Sequence, residues 1–322
     1  MQKIIFLTAF IICISLVPIL PALINAQESD EAAMQLNRAI SLIEKGRFDE
    51  AIAQLQKIIE KNPNYAPAYA NLGTVYIGKR NLDKGIEAYK KAVEINPNDK
   101  STHSNLGNAY TDLKKYDEAI AEHKKVIELA PNDAKAYTNL GTAFSQKGNI
   151  EEGINQFKKA ISLNPYHPLA RKNLGYSYYE MKKWPEAIDE LLLARDIDAW
   201  YPGLEESLRI TLKKAYPDLE KWVNEKPTDP LSHYYFAYAL AYKDKLKKAI
   251  QEMETATKLD RSKGEFYKGV ALFYFSANKP KEAITALEEC IRILTPDVNS
   301  GHEIFSCSDL ACIELPLVDR RR

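Results

Sequence analysis

The chain has 322 residues, of which 44 are Lys or Arg and 44 are Asp or Glu, so its formal net charge is zero. A balanced chain lacks the basic footprint that holds nucleic acid or an anionic membrane surface, and neither is expected as an electrostatic partner. The five histidines are scattered, and no cofactor is implied.

Residues 1–26 carry one charge, Lys3, then an apolar run from Ile4 to Leu20 and the ending Ile24-Asn25-Ala26. This predicts a signal peptide cut before Gln27, and hence an exported protein, periplasmic or secreted. Loss of Lys3 leaves the acidic side chains one in excess. The run is long for a signal and Ile24 is bulkier than the Ala favoured there, so an uncleaved membrane anchor stays open. Cys13 follows Ile12, not the small residue that a lipoprotein cut needs, and no lipid anchor is expected.

From residue 32 the sequence is periodic. The segment 66–99 places Tyr69, Leu72, Gly73 and Tyr76 at helical spacing, then Gly85, Tyr89 and Ala92, and closes on Asn96-Pro97-Asn98. Thirty-four residues on stand Leu106, Gly107, Tyr110, Ala119 and Pro131; the next step gives Leu140, Gly141, Phe144, Gly153, Phe157, Ala160 and Pro165. A further step gives Leu174, Gly175, Tyr178, Ala187, Leu191 and Ala194. Each unit therefore reads as two helices in close contact at the glycines, with proline ending the second. The repeats run 66–99, 100–133, 134–167 and 168–201. An earlier one at 32–65 carries polar Gln35 and Arg38 at first-helix positions, as a terminal cap requires.

The period slips after Tyr201. Residues 202–229 read either as a degenerate repeat ending at Pro227 or as a helical insertion, and two further repeats fill 230–297. Cys290 stands where other second helices carry a small residue and reads as buried. In the tail, 298–322, Cys307 and Cys312 are expected to form a local disulfide in an oxidising compartment. Metal ligation with His302 is the alternative, although the spacing matches no strong zinc pattern.

The residue types and spacing resemble the tetratricopeptide repeat family: an aromatic at position 4, Leu-Gly at 7 and 8, an aromatic at 11, then Ala, aromatic, Ala and Pro. The resemblance implies an all-α fold, a right-handed superhelical solenoid of antiparallel helix hairpins. It also implies a concave groove, lined by the first helices, that takes a protein or peptide partner.

No phosphate-binding glycine loop, nucleophile elbow, zinc-protease helix or haem attachment pair occurs, so no enzyme is expected. His103 and His123 replace aromatics at helix contacts and read as core substitutions. With positions 4, 7, 8 and 11 turned to the partner helix, positions 2, 6, 9 and 13 point the opposite way. Position 6 is Asn71, Asn105, Asn139 and Asn173. Such a row can pair with the amides of an extended chain, or it can merely solvate the groove. In the repeat starting at 230 the same face carries Leu231, Tyr235, Tyr238 and Tyr242, a trend begun by Tyr176 and Tyr179. These aromatics are expected to be apolar anchors for a partner, with the protein's own tail as the other candidate cover.

The reading is an exported binding scaffold. A membrane-tethered assembly factor for a pilus, secretion or cytochrome-maturation system, and a self-assembling structural scaffold, are the alternatives. Export predicts that the chain isolated from its host begins at Gln27; N-terminal sequencing that finds Lys3 and Ile4 retained overturns the cleavage.

Overall fold

The computed structural model describes residues 20–295, with side chains from residue 30. The apolar run up to Ile19 and the tail with Cys307 and Cys312 lie outside the described residues. Fifteen α-helices occupy the described part, and the chain divides into two compact units between Lys147 and Gly148.

The first unit holds α1 (Leu20–Glu44), α2 (Phe48–Lys61), α3 (Ala66–Gly78), α4 (Leu82–Ile95), α5 (Lys100–Asp112), α6 (Tyr116–Leu129) and α7 (Ala134–Lys147). Each helix packs on the next, and α3 also touches α5, as α5 touches α7. Helix ends follow from local chemistry. First helices stop at a residue in the left-handed region, Gly46 (φ 72°), Arg80 (φ 63°) and Lys114 (φ 60°). The following amide then donates back across the turn: Arg47 N to Leu42 O at 2.9 Å, Asn81 N to Tyr76 O at 2.8 Å, and Lys115 N to Tyr110 O at 2.9 Å. This closes carbonyls that the helix end would otherwise leave open. At the far end, Asn62 and Asn96 N–H groups make the last helical bonds, and the prolines after them can make none.

Glycine at position 8 permits the hairpin contact. A Cβ on Gly73 would lie 2.6 Å from the Tyr89 ring, and one on Gly107 would lie 2.6 Å from the His123 ring. Tyr89 is further held by a 3.0 Å hydrogen bond between its hydroxyl and Thr74 Oγ1. His123 has no such help. It is 1 % exposed, and its Nδ1 has no hydrogen-bond partner.

The second unit holds α8 (Ile150–Leu163), α9 (Pro168–Glu180), α10 (Trp184–Ile197), α11 (Leu204–Glu225), α12 (Pro230–Ala241), α13 (Leu246–Leu259), α14 (Gly264–Ser276) and α15 (Pro280–Leu294). Again each helix packs on its successor, and α12 also meets α14. Its main core runs from Trp184 in α10 to Ala286 in α15. Residues 202–229 contribute one helix, not a hairpin: α11 starts after Gly203 (φ 72°) and runs 22 residues with Pro217 inside it. With one helix between the hairpins, the second helix α10 is separated from the first helix α12 by α11 alone, and α10, α12 and α14 contribute to one cavity.

A basic clamp recurs at position 4. His103 Nε2 donates to Pro97 O at 3.0 Å while Nδ1 meets Glu122 at 2.6 Å. His233 bonds Pro227 O at 2.9 Å and Glu252 at 2.6 Å. Arg171 does the same with Pro165 O at 3.0 Å and Glu190 at 2.8 Å. Each ties a first helix to the turn before it and to its own second helix. Cys290 is buried, with Sγ–H donating to Gly264 O.

Two outcomes follow for stability. Gly107→Leu drives a branched side chain into the His123 ring and is expected to cost about 1–3 kcal/mol, read by thermal unfolding. Burial also lowers the His123 pKa from 6.5 to about 4. The neutral ring fits the folded state at pH above 6.5; as pH falls from 6.5 towards 4 the unfolded chain takes the proton first, and about 3 kcal/mol is lost. Denaturant titrations across that range should show the loss for the native chain and a flatter profile for His123→Phe.

Candidate functional site

Two surfaces answer to the residues singled out above. In the first unit, Asn71, Asn105 and Asn139 stand on α3, α5 and α7 at equivalent positions. Asn71 Nδ2 donates to Pro67 O at 2.8 Å within its own helix. Asn139 Nδ2 reaches Ser104 Oγ at 3.5 Å, which brings the outward faces of α5 and α7 side by side. Asn105 is exposed and makes no hydrogen bond among the described residues. The row therefore exists in this unit, with one member fully open. Asn173 belongs to the second unit, on α9.

The aromatic set divides. Tyr176 is 56 % exposed and stacks on Tyr179 at 5.7 Å between ring centroids. Tyr235 and Tyr238 do not lie on an open face, contrary to the expectation from the helical wheel: each is 4 % exposed and belongs to the core. Tyr235 stacks on Trp222 of α11 and donates its hydroxyl to Asp189 Oδ2 of α10 at 2.7 Å. Tyr238 packs edge-on against Phe273 of α14. The cause is the single helix α11, which brings α10 opposite the side of α12 that an even helix count would leave open. Tyr242 is half-buried and donates to Glu205 of α11 at 2.7 Å.

Tyr235 and Tyr238 instead help to line a cavity of about 360 Å³ in the second unit. Its walls come from α10, α12, α14 and α15. Most are apolar, with Leu192, Tyr234, Phe266 and Leu272 buried and Leu193, Leu231 and Phe275 exposed. The polar members are mostly engaged with one another. Asp196 pairs with Lys268 at 2.5 Å. Burial pushes the Asp189 carboxyl up from its ordinary value while the Tyr235 hydroxyl bond opposes the shift, and burial pushes the Tyr235 phenol far up. Arg195 is only 7 % exposed, and its Nη1 has no hydrogen-bond partner. The sequence did carry a signal for this residue. Second helices hold Ile59, Val93, Ile127 and Ile161 at its repeat position, and Arg195 alone of these five is charged. Among the described residues no group of three His, Cys, Asp or Glu side chains could hold a metal ion.

Family models described as "TPR repeat" and "Tetratricopeptide repeat" match residues 107–148, 42–106 and 134–167. Among solved structures, MamA 41-end from Desulfovibrio magneticus RS-1 is 21 % identical with a TM-score of 0.50, covering 54 % of this chain and 98 % of that one. A further MamA structure is 25 % identical with a TM-score of 0.47, over 50 % of this chain and 94 % of its own. The APC/C hetero-tetramer Cut9-Hcn1 is 19 % identical with a TM-score of 0.45, over 86 % of this chain and 48 % of that one. The first of these is a likeness of fold. No curated protein sequence matches the chain significantly.

The burial of the two tyrosines makes them structural. Tyr238→Ala is expected to cost about 3–5 kcal/mol, the usual range for an aromatic removed from a core, while exposed Tyr176→Ala stays within about 0.5 kcal/mol. Chemical denaturation of both variants checks the contrast.

Proposed function

The chain belongs to the tetratricopeptide repeat family, whose members are protein–protein interaction scaffolds, and from that premise we propose that it holds an extended segment of a partner protein against α3, α5 and α7, outside the cytoplasm. The observation that carries this reading is the contact of Asn139 with Ser104, which makes neighbouring first helices present equivalent amides on one face. Asn71 keeps Oδ1 as an acceptor, and Asn105 keeps both donor and acceptor. An extended segment offers a matching N–H and C=O at each residue. In the second unit, exposed Tyr176 and its partner Tyr179 add a flat apolar surface for a protein partner. Proteins of this family are generally non-enzymatic, and the chain is read the same way.

Export rests on the apolar run from Ile4 to Leu20 and the ending at Ala26. Among the described residues no helix is long and apolar enough to cross a membrane.

Each amide pair is worth about 0.5–1.5 kcal/mol net, so single Asn→Ala changes should weaken binding a few-fold. A photo-crosslinking residue at position 105, expressed in the native host, should trap a discrete partner, whereas one at exposed Lys124 on α6 should not. Adding Asn71→Ala and Asn139→Ala should reduce the adduct at least tenfold. Equal trapping at 105 and 124, or an unchanged adduct in the combined variant, overturns the reading.

A further inference from the structure

The second unit contains a feature that partner binding along α3, α5 and α7 does not use. A guanidinium 7 % exposed, with one nitrogen unsatisfied, stands in the wall of a cavity of about 360 Å³. A buried charge is costly unless paired, and buried donors are rarely left without acceptors. Asp196 pairs with Lys268, Asp189 accepts from the Tyr235 hydroxyl, and Glu205 accepts from the Tyr242 hydroxyl, while Glu265 and Lys263 also line the cavity. Asp196 and Glu205 stabilise the guanidinium by their charge, yet no group among the described residues accepts a hydrogen bond from Nη1. The apolar side chain found at this repeat position in four other repeats would fill the wall at no such cost, so the arginine is not a packing requirement.

The remaining walls state what kind of molecule the cavity suits. Tyr234, Phe266 and Leu272 form a buried apolar lining, while Leu193, Leu231 and Phe275 line the cavity and remain 44 %, 42 % and 54 % exposed. The volume falls within the range of small-molecule sites, which are mostly apolar with a few placed polar groups. A planar guanidinium is matched by a carboxylate, which can accept two of its N–H bonds.

We propose that this cavity binds a small amphiphilic carboxylate, its head on Arg195 and its apolar body between α12 and α14, leading out past Leu231 and Phe275. The site is independent of the amide face of the first unit. The carboxylate supplies the acceptor that Arg195 Nη1 lacks, and the body covers the exposed apolar side chains at the opening.

Calorimetric titration of the full chain with decanoate, and with decanol as the neutral analogue, tests the proposal. Decanoate should bind one molecule per chain and raise the unfolding temperature, with decanol at least tenfold weaker. Arg195→Met should reduce decanoate affinity at least tenfold and leave decanol unchanged. Leu231→Glu, at an exposed position, should also weaken decanoate by placing a like charge at the opening, and it serves if the arginine variant fails to fold. Absence of decanoate binding, equal binding of decanol, or full decanoate affinity in the folded Arg195→Met or Leu231→Glu chain overturns it. The amide-face reading is untouched by any of these results, since its crosslinks are read at position 105.

Discussion

The fold depends on how closely the two helices of a hairpin can approach. Position 8 of the first helix lies against a large side chain of the second, and at Gly73, Gly107 and Gly175 a single added carbon would come within 2.8 Å of that neighbour. Tyr89, His123 and Leu191 occupy the opposing position, so the chemistry of the filler varies while the space is constant. Because the contact is local, each of these three hairpins forms it within 34 residues of chain, and stacking then buries the apolar faces that one hairpin leaves open. His123 marks the tolerance of the arrangement: the space accepts an imidazole ring, although nothing satisfies its Nδ1.

Around this contact the polar residues set the hairpin's frame. His103, Arg171 and His233 each bridge a proline carbonyl and a glutamate nineteen positions on, fixing where the chain enters the first helix. The opposite end is fixed by residues in the left-handed region. Arg80, Lys114 and Lys182 accept that conformation because the amide after them makes a bond back across the turn. Side chains with a Cβ are strained there, so the bond at the turn offsets a backbone cost.

The hairpins were legible in the sequence because their determinants recur at fixed spacing and act within one repeat. Gly73 opposite Tyr89 could be read from helical periodicity alone. Tyr235 and Tyr238 could not be placed, since their surroundings depend on whether residues 202–229 supply one helix or two, a question of count to which the wheel of α12 is blind. Arg195 was legible in principle, as a charge replacing the Ile and Val of its repeat position. Its meaning was not, because the cavity beside it is built from helices up to 92 positions away, at Leu287. The asparagines were found by register, but whether their amides are open depends on neighbours such as Pro67 and Ser104, which the repeat pattern does not specify.

The single helix α11 has a bearing on how such a chain can grow or shrink by recombination. Exchange in steps of 34 residues adds or removes a whole hairpin and returns every later helix to an equivalent neighbour. Loss of α11 by itself would have no such symmetry: Trp222 would leave Tyr235, and α10 would meet α12 by the wrong face. The cavity and its arginine are thus inherited together with that helix, as one indivisible block inside a sequence whose other parts can be exchanged repeat by repeat.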